Sequence, residues 1–288
     1  MKEFSAYTFL DIDHPITAWE TYRGILYSAD TFETKDSRFP SFMLAAIISS
    51  AGNVRLANEL IIESVRLREF PDTVSRLRGL FFFPDRESAR RALSWGAHFV
   101  SDNLAEVGVT AKASTKADAD WITVARKDPA TGVVLPDYLD LIRSYWRGEP
   151  MTNNPHWELL VHGSAVVWGT YVRQKAYASI KAQDERSLPI LELSRIAAAL
   201  DSSLGHSMPW IKRVGDAVFE ICNLIDFRDA TNPSFLSKLR DYRGPRNFED
   251  LPMGIERFAV PDTRWMNKRF RIEGEYQGSL SEMKILLL

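Results

Sequence analysis

Apolar and polar positions along the chain change period several times, and each change marks an element. Between Pro71 and Pro84, Leu77, Leu80, Phe81, Phe82 and Phe83 form a short apolar run, which predicts a mostly buried strand. Asp85 stands where an N-cap is needed, and 86–93 alternates charge with alanine and leucine at helical spacing, so that strand hands over to a helix. Upstream, "TYRGILYSA" (21–29) reads as an early strand through the β-favouring Tyr22, Ile25, Leu26 and Tyr27. Ser41 can cap a helix through "FMLAAIISSA"; Gly52 and Asn53 interrupt it, and a second helix is expected from about 54 to 69, with Leu56, Leu60, Ser64 and Leu67 on one face. Alternation in "LAEVGVTAKAS" (104–114) and "DWITVARK" (120–127) predicts strands. "DYLDLIRSYWRGEP" (137–150) predicts a helix stopped by Gly148 and Pro150, and "WELLVHGSAVVWGTYV" (157–172) two strands broken at His162 and Gly163.

Beyond about residue 175 the pattern turns helical, in "LPILELSRIAAALDSSL" and again in "WIKRVGDAVFEICNLIDF". Strands early and helices late imply an α+β domain over 1–175 and a mainly helical region over 176–288 packed on it. The boundary is soft, because "YVRQKAYASIKAQDERS" reads as one helix across it. No repeat of 20–50 residues and no low-complexity segment interrupts the chain.

Composition narrows the classes without choosing one. The 288 residues are 45% hydrophobic and 26% charged, with a net charge of −2, so no global basic field points to duplex nucleic acid. Cys222 is the only cysteine, which excludes an intramolecular disulfide and a cysteine-rich zinc site. The five histidines are scattered without metal-ligand spacing, and neither GxxxxGK[ST] nor GxGxxG occurs. Acids interrupt the N-terminal stretch, no apolar run approaches 18 residues, and a cytoplasmic protein is expected.

Three features stand in chain order: Tyr22-Arg23-Gly24 on the early strand, Ser75-Arg76 leading the Phe-rich strand, and Glu158 opening a late strand after the helix with Tyr145 and Trp146. This order of arginine, serine and glutamate resembles the ADP-ribosyltransferase superfamily over about residues 20–170, and the surrounding wording is similar to an uncharacterised bacterial and phage branch of it. The resemblance implies a split, twisted β-sandwich flanked by helices. It implies an enzyme that cleaves NAD at the nicotinamide–ribose bond and passes ADP-ribose to a macromolecular acceptor, a protein before a nucleic acid, with no metal and no membrane.

On that resemblance Glu158 is the catalytic carboxylate, bonded to the ribose 2′-hydroxyl and stabilising an oxocarbenium-like state. Arg23 offers a planar fork to the NAD phosphates or ribose, Ser75 holds the site together, Arg76 is a second phosphate ligand, and Tyr22, Tyr145 and Trp146 offer faces to the rings. The local readings are plainer: Arg23 as a surface strand arginine, Glu158 as a solvent-face residue, Tyr145 and Trp146 as core, Ser75 as a cap. The pattern departs from many arginine-modifying members, because His156 stands where they carry a second glutamate, and Thr73-Val74-Ser75 replaces Ser-Thr-Ser. An NAD glycohydrolase and a non-catalytic interaction protein on the same fold are the rival readings. In the last third, "DYRGPRNFED" (241–250) is expected to offer a partner surface, and "RWMNKRFRIEG" (264–274) to form an amphipathic strand.

Overall fold

The computed structural model describes residues 1–31, 39–50, 53–216, 218–245 and 259–271. The chain is an α+β protein with two antiparallel sheets. In order it runs β1 (Lys2–Phe9), α1 (Pro15–Arg23), β2 (Ile25–Tyr27), α2 (Phe42–Ser49), α3 (Asn53–Glu69), β3 (Leu80–Phe82), α4 (Arg86–Ala92), β4 (Leu104–Asp118), α5 (Asp120–Val124), α6 (Leu139–Arg147) and β5 (Trp157–Val167). There follow α7 (Thr170–Gln183), α8 (Leu188–Ala199), β6 (Ser207–Gly215), β7 (Val218–Ile225), α9 (Pro233–Asp241) and β8 (Lys268–Arg271).

The main sheet has the order β1-β4-β5-β2, and β3 shares the β2 edge of β5. Leu80–Phe82 lie opposite 159–161, and Ile25–Tyr27 opposite 164–166. Gly163 stands at the break between them: its N–H donates to Ser28 Oγ and its carbonyl accepts from Ser28 N and Thr31 Oγ1, at 2.9–3.0 Å. A Cβ there would meet Thr110 O at 2.2 Å, so a close backbone approach requires glycine. Tyr7 and Phe83 exchange backbone bonds of 3.0 and 2.7 Å, and strands β1, β4, β5 and β3 therefore make a closed circuit.

Alternation along β5 divides the interior. Val161, Ala165 and Val167 face Trp19 and Tyr22 of α1, Val172 and Ile180 of α7, and Leu188 and Leu191 of α8. Leu160, on the other face, meets Ile62 and Val65 of α3 and Ile142, Tyr145 and Trp146 of α6. A third core joins α2 and α3 to the sheet β6-β7-β8, through Leu44, Ile47, Leu60, Ile211, Phe219 and Ile221. Each such aliphatic side chain contributes about 2 kcal/mol on burial, which is why all three interfaces hold.

Several expected elements differ. Tyr22 and Arg23 end a helix instead of lying on a strand: Pro15 occupies its first turn, His14 caps it, and Gly24 closes it at φ 94°, leaving only 25–27 as strand. The strands expected at 104–114 and 120–127 are one long β4 and a short α5, and 157–172 is one strand followed by a helix. "WIKRVGDAVFEICNLIDF" forms most of the β6-β7 hairpin, so the C-terminal region is mixed, not mainly helical. β1, for which no element was expected, pairs with β4 along its whole length. Helices α2, α3, α4, α6 and α8 and the caps Ser41 and Asp85 lie where expected. α7 runs through residue 175, and Leu188 and Leu191 beyond it belong to the first core. The expectations over 241–250 and 264–274 fall partly outside the described residues.

Candidate functional site

Helix α3 turns a polar stripe inward. Glu59, Glu63 and Arg66 recur at helical spacing beside Leu56 and Leu60, and all three are buried. Arg66 pairs with Glu63 at 2.9 Å and donates to the carbonyls of Pro71 and Thr73, at 3.2 and 2.9 Å, which fastens the turn before β3 onto the helix. Val74 N donates to Thr115 Oγ1 of β4, and Ser75 Oγ accepts from Leu77 N, at 2.8 and 3.1 Å. Ser75 thus caps its own turn and aims Arg76 inward.

Arg76 is the hub. Its Nε and Nη2 form a two-bond fork with Glu59 at 2.8 and 3.0 Å, and its Nη1 donates to Tyr145 Oη at 2.8 Å and to Glu158 Oε1. Tyr145 in turn donates to the same oxygen of Glu158. The guanidinium also lies over the rings of Phe81 and Tyr145, 5.1 and 5.4 Å from their centroids. Burial pushes the Glu158 carboxyl up from its ordinary value, against the pull of Arg76 and the Tyr145 bond. Burial likewise raises Glu63, and holds the Tyr145 phenol well above the usual range. Burial opposes the charge on Arg76, yet Glu158 and Glu59 keep it well above its ordinary value.

Glu158 uses only Oε1 in these bonds, and its side chain keeps 8% exposure. These bonds fix one oxygen, and Oε2 takes no part in them. Asp118 sets the entry to this strand by accepting from the backbone of Asp120, Met151 and His156, at 2.8–3.1 Å. Trp146 turns its indole into the core and donates to Ile62 O at 3.0 Å.

Tyr22 and Arg23 belong to a second buried polar group. Trp19 Nε1 donates to Gly205 O, and the Glu20 carboxylate takes His206 Nδ1 and Ser207 N, all at 2.6–2.7 Å. Tyr22 donates to Glu192, which also pairs with Arg195 at 3.0 Å, and Arg23 donates to Ser202 O at 2.8 Å. The end of α1 is therefore a latch on the 192–207 segment. A hollow with room for about one water lies beside it, lined by Tyr27, Arg78, His206 and Met208 among others.

The structure brings Ser75, Arg76, Tyr145 and Glu158 together and sets Tyr22 and Arg23 apart. Gly24 O accepts from Val167 N, whereas Glu158 pairs with Ala117 nine residues earlier on β5. At strand rise that is about 30 Å, beyond the reach of an arginine side chain. Glu59, Glu63 and Arg66 were missed in the sequence, where their only signal was charge recurring at helical spacing next to the apolar positions Leu56 and Leu60. Glu20, Glu192 and His206 carried no such signal, because their partners across the latch are more than 160 positions away.

Among the described residues no group of three histidine, cysteine or acidic side chains is placed to hold a metal, and no helix is long and apolar enough to cross a membrane. The chain matches no curated protein. Residues 16–174, which carry both polar groups except for the 192–207 side of the latch, match a family described as proteins of unknown function (DUF2441), and the chain belongs to that family.

Proposed function

We propose that the chain is a mono-ADP-ribosyltransferase that cleaves NAD at the nicotinamide–ribose bond and hands ADP-ribose to a macromolecular acceptor, in the cytoplasm and without a metal. The observation that carries this reading is Glu158: a buried carboxylate with one oxygen held by Arg76 and Tyr145 and the other unengaged. Such a group can accept a hydrogen bond from a ribose hydroxyl and oppose the positive charge that develops as nicotinamide departs. Ser75 and Arg76 position it. Arg76 spends its donors inside the protein, so the phosphates need other partners, and Arg23 holds the C-terminal segment. The split-sandwich fold belongs to the same reading, supported by the broken edge of β5 and the strand circuit through Tyr7 and Phe83.

Nicotinamide release by the full chain tests this. Release that requires cell lysate, and falls about 10²-fold or more in Glu158→Gln, is the expected result for a transferase. Lysate-independent release identifies a glycohydrolase. A second reading, a non-catalytic interaction protein, is favoured by how much of the network is internal, since Arg76 and Tyr145 spend their donors on Glu59 and on one oxygen of Glu158. Absence of both NAD turnover and calorimetric NAD binding would establish it over the enzyme.

A further inference from the structure

We propose that Glu59 sets the charge state of Glu158 through Arg76. The inference rests on the catalytic reading of Glu158 for its consequence in turnover, but not for its physical content. Arg76 is a planar fork with a carboxylate on each side: Glu59 takes Nε and Nη2, and Glu158 takes Nη1. A lone guanidinium beside Glu158 would hold that carboxylate ionised. With Glu59 already paired to it in a two-bond fork, Glu158 meets a largely neutralised partner.

The neighbours leave Glu59 as the controlling charge. From α3 come Glu59, Glu63 and Arg66, with Arg66 committed to Glu63 at 2.9 Å. The turn before β3 supplies Arg76 and the uncharged Ser75, and α6 supplies Tyr145, a donor to Glu158. Met43 of α2 and Phe81 of β3 touch Arg76 without charge. Lys116 of β4 turns instead to the ring of Trp157, 4.1 Å from its centroid. Three carboxylates thus share two guanidinium groups in a buried space, and the surplus negative charge favours a proton on the one that shares its cation. The desolvation of Glu158, the larger cause, and the direct repulsion from Glu59 both act in that direction, against the pull of Arg76 and the Tyr145 bond.

The direction of the effect follows. Removing the charge of Glu59 hands the whole field of Arg76 to Glu158, which then ionises at lower pH. For a reaction that needs the ionised carboxylate, the acid limb of the pH profile moves down with it.

The test is carbon NMR of the full chain labelled at the glutamate carboxyls, with the Glu158 signal assigned by its loss in Glu158→Gln. In Glu59→Gln the Glu158 titration is expected to shift to lower pH, and the acid limb of nicotinamide release to shift in step. Glu59→Asp draws the carboxylate back by one methylene and is expected to shift the titration the same way by less, which serves if Glu59→Gln does not fold. An unchanged Glu158 titration in a folded Glu59 variant overturns the proposal. If wild type releases no nicotinamide, the catalytic reading falls, while the titration still decides whether Glu59 controls Glu158.

Discussion

Arg76 holds two carboxylates and a phenol in a space from which water is nearly excluded, and such a residue is far more costly to remove than its net contribution suggests. Arg76→Leu leaves Glu59 and Glu158 buried without a cation, and is expected to cost about 3–5 kcal/mol in urea unfolding. Glu158 gives a complementary pH signature. Its carboxyl is raised in the folded state by burial, so its contribution to stability is fully present below the unfolded value and is lost as pH rises through the folded one. Glu158→Gln cannot ionise. Its unfolding free energy is expected to fall less than that of wild type between acid and neutral pH, and equal slopes in paired urea titrations would contradict the assignment.

At the scale of elements, short pieces are placed by specific contacts and not by propensity. β2 and β3 are three residues each and share one edge of β5; at the break between them Gly163 bonds Ser28 and Thr31 on that edge, while its lack of a side chain lets the backbone approach Thr110 of β4 on the other. Gly163→Ala puts a methyl into that carbonyl, and a loss of about 1–3 kcal/mol is expected from thermal or urea unfolding. Helix α1 ends in the latch of Trp19, Glu20, Tyr22 and Arg23 on the 192–207 segment. Glu20→Ala removes the acceptor of Ser207 N and the partner of His206. Faster amide exchange at Ser207, with exchange in β4 unchanged, is the expected outcome. An equal acceleration in both would mean that the latch has no separate identity.

For the whole molecule, the family region and the C-terminal region share interiors. Leu188 and Leu191 complete the core around α1 and α7, and Ile211, Phe219 and Ile221 complete the one around α2 and α3. A chain ending at residue 175 would expose both surfaces and leave Trp19 and Glu20 without their partners. It is expected to lack a cooperative thermal transition, and a sharp one would show that 1–175 is an independent unit.

What the sequence determined by itself was local. Ser41, Asp85 and Gly148 are helix punctuation, and the amphipathic runs of α3, α6 and α8 have the period that decides their type. Ser75, Arg76, Tyr145 and Glu158 stood out only through the superfamily resemblance; read locally they were a cap, a solvated charge, a core aromatic and a solvent-face strand residue, and that they meet came from the fold. Tertiary structure decided the rest. The β6-β7 hairpin carries a pattern that also reads as helix, and only its fit against α2 and α3 selects the strand form. Arg23 looks like a strand arginine until Gly24 closes the helix at it and the Ser202 carbonyl, far along the chain, accepts its hydrogen bond. The pairing of Glu59 with Arg76, and of both with Glu158, depends on three elements meeting at one point. A buried charge is tolerated only where such partners converge, and convergence is a property of the fold.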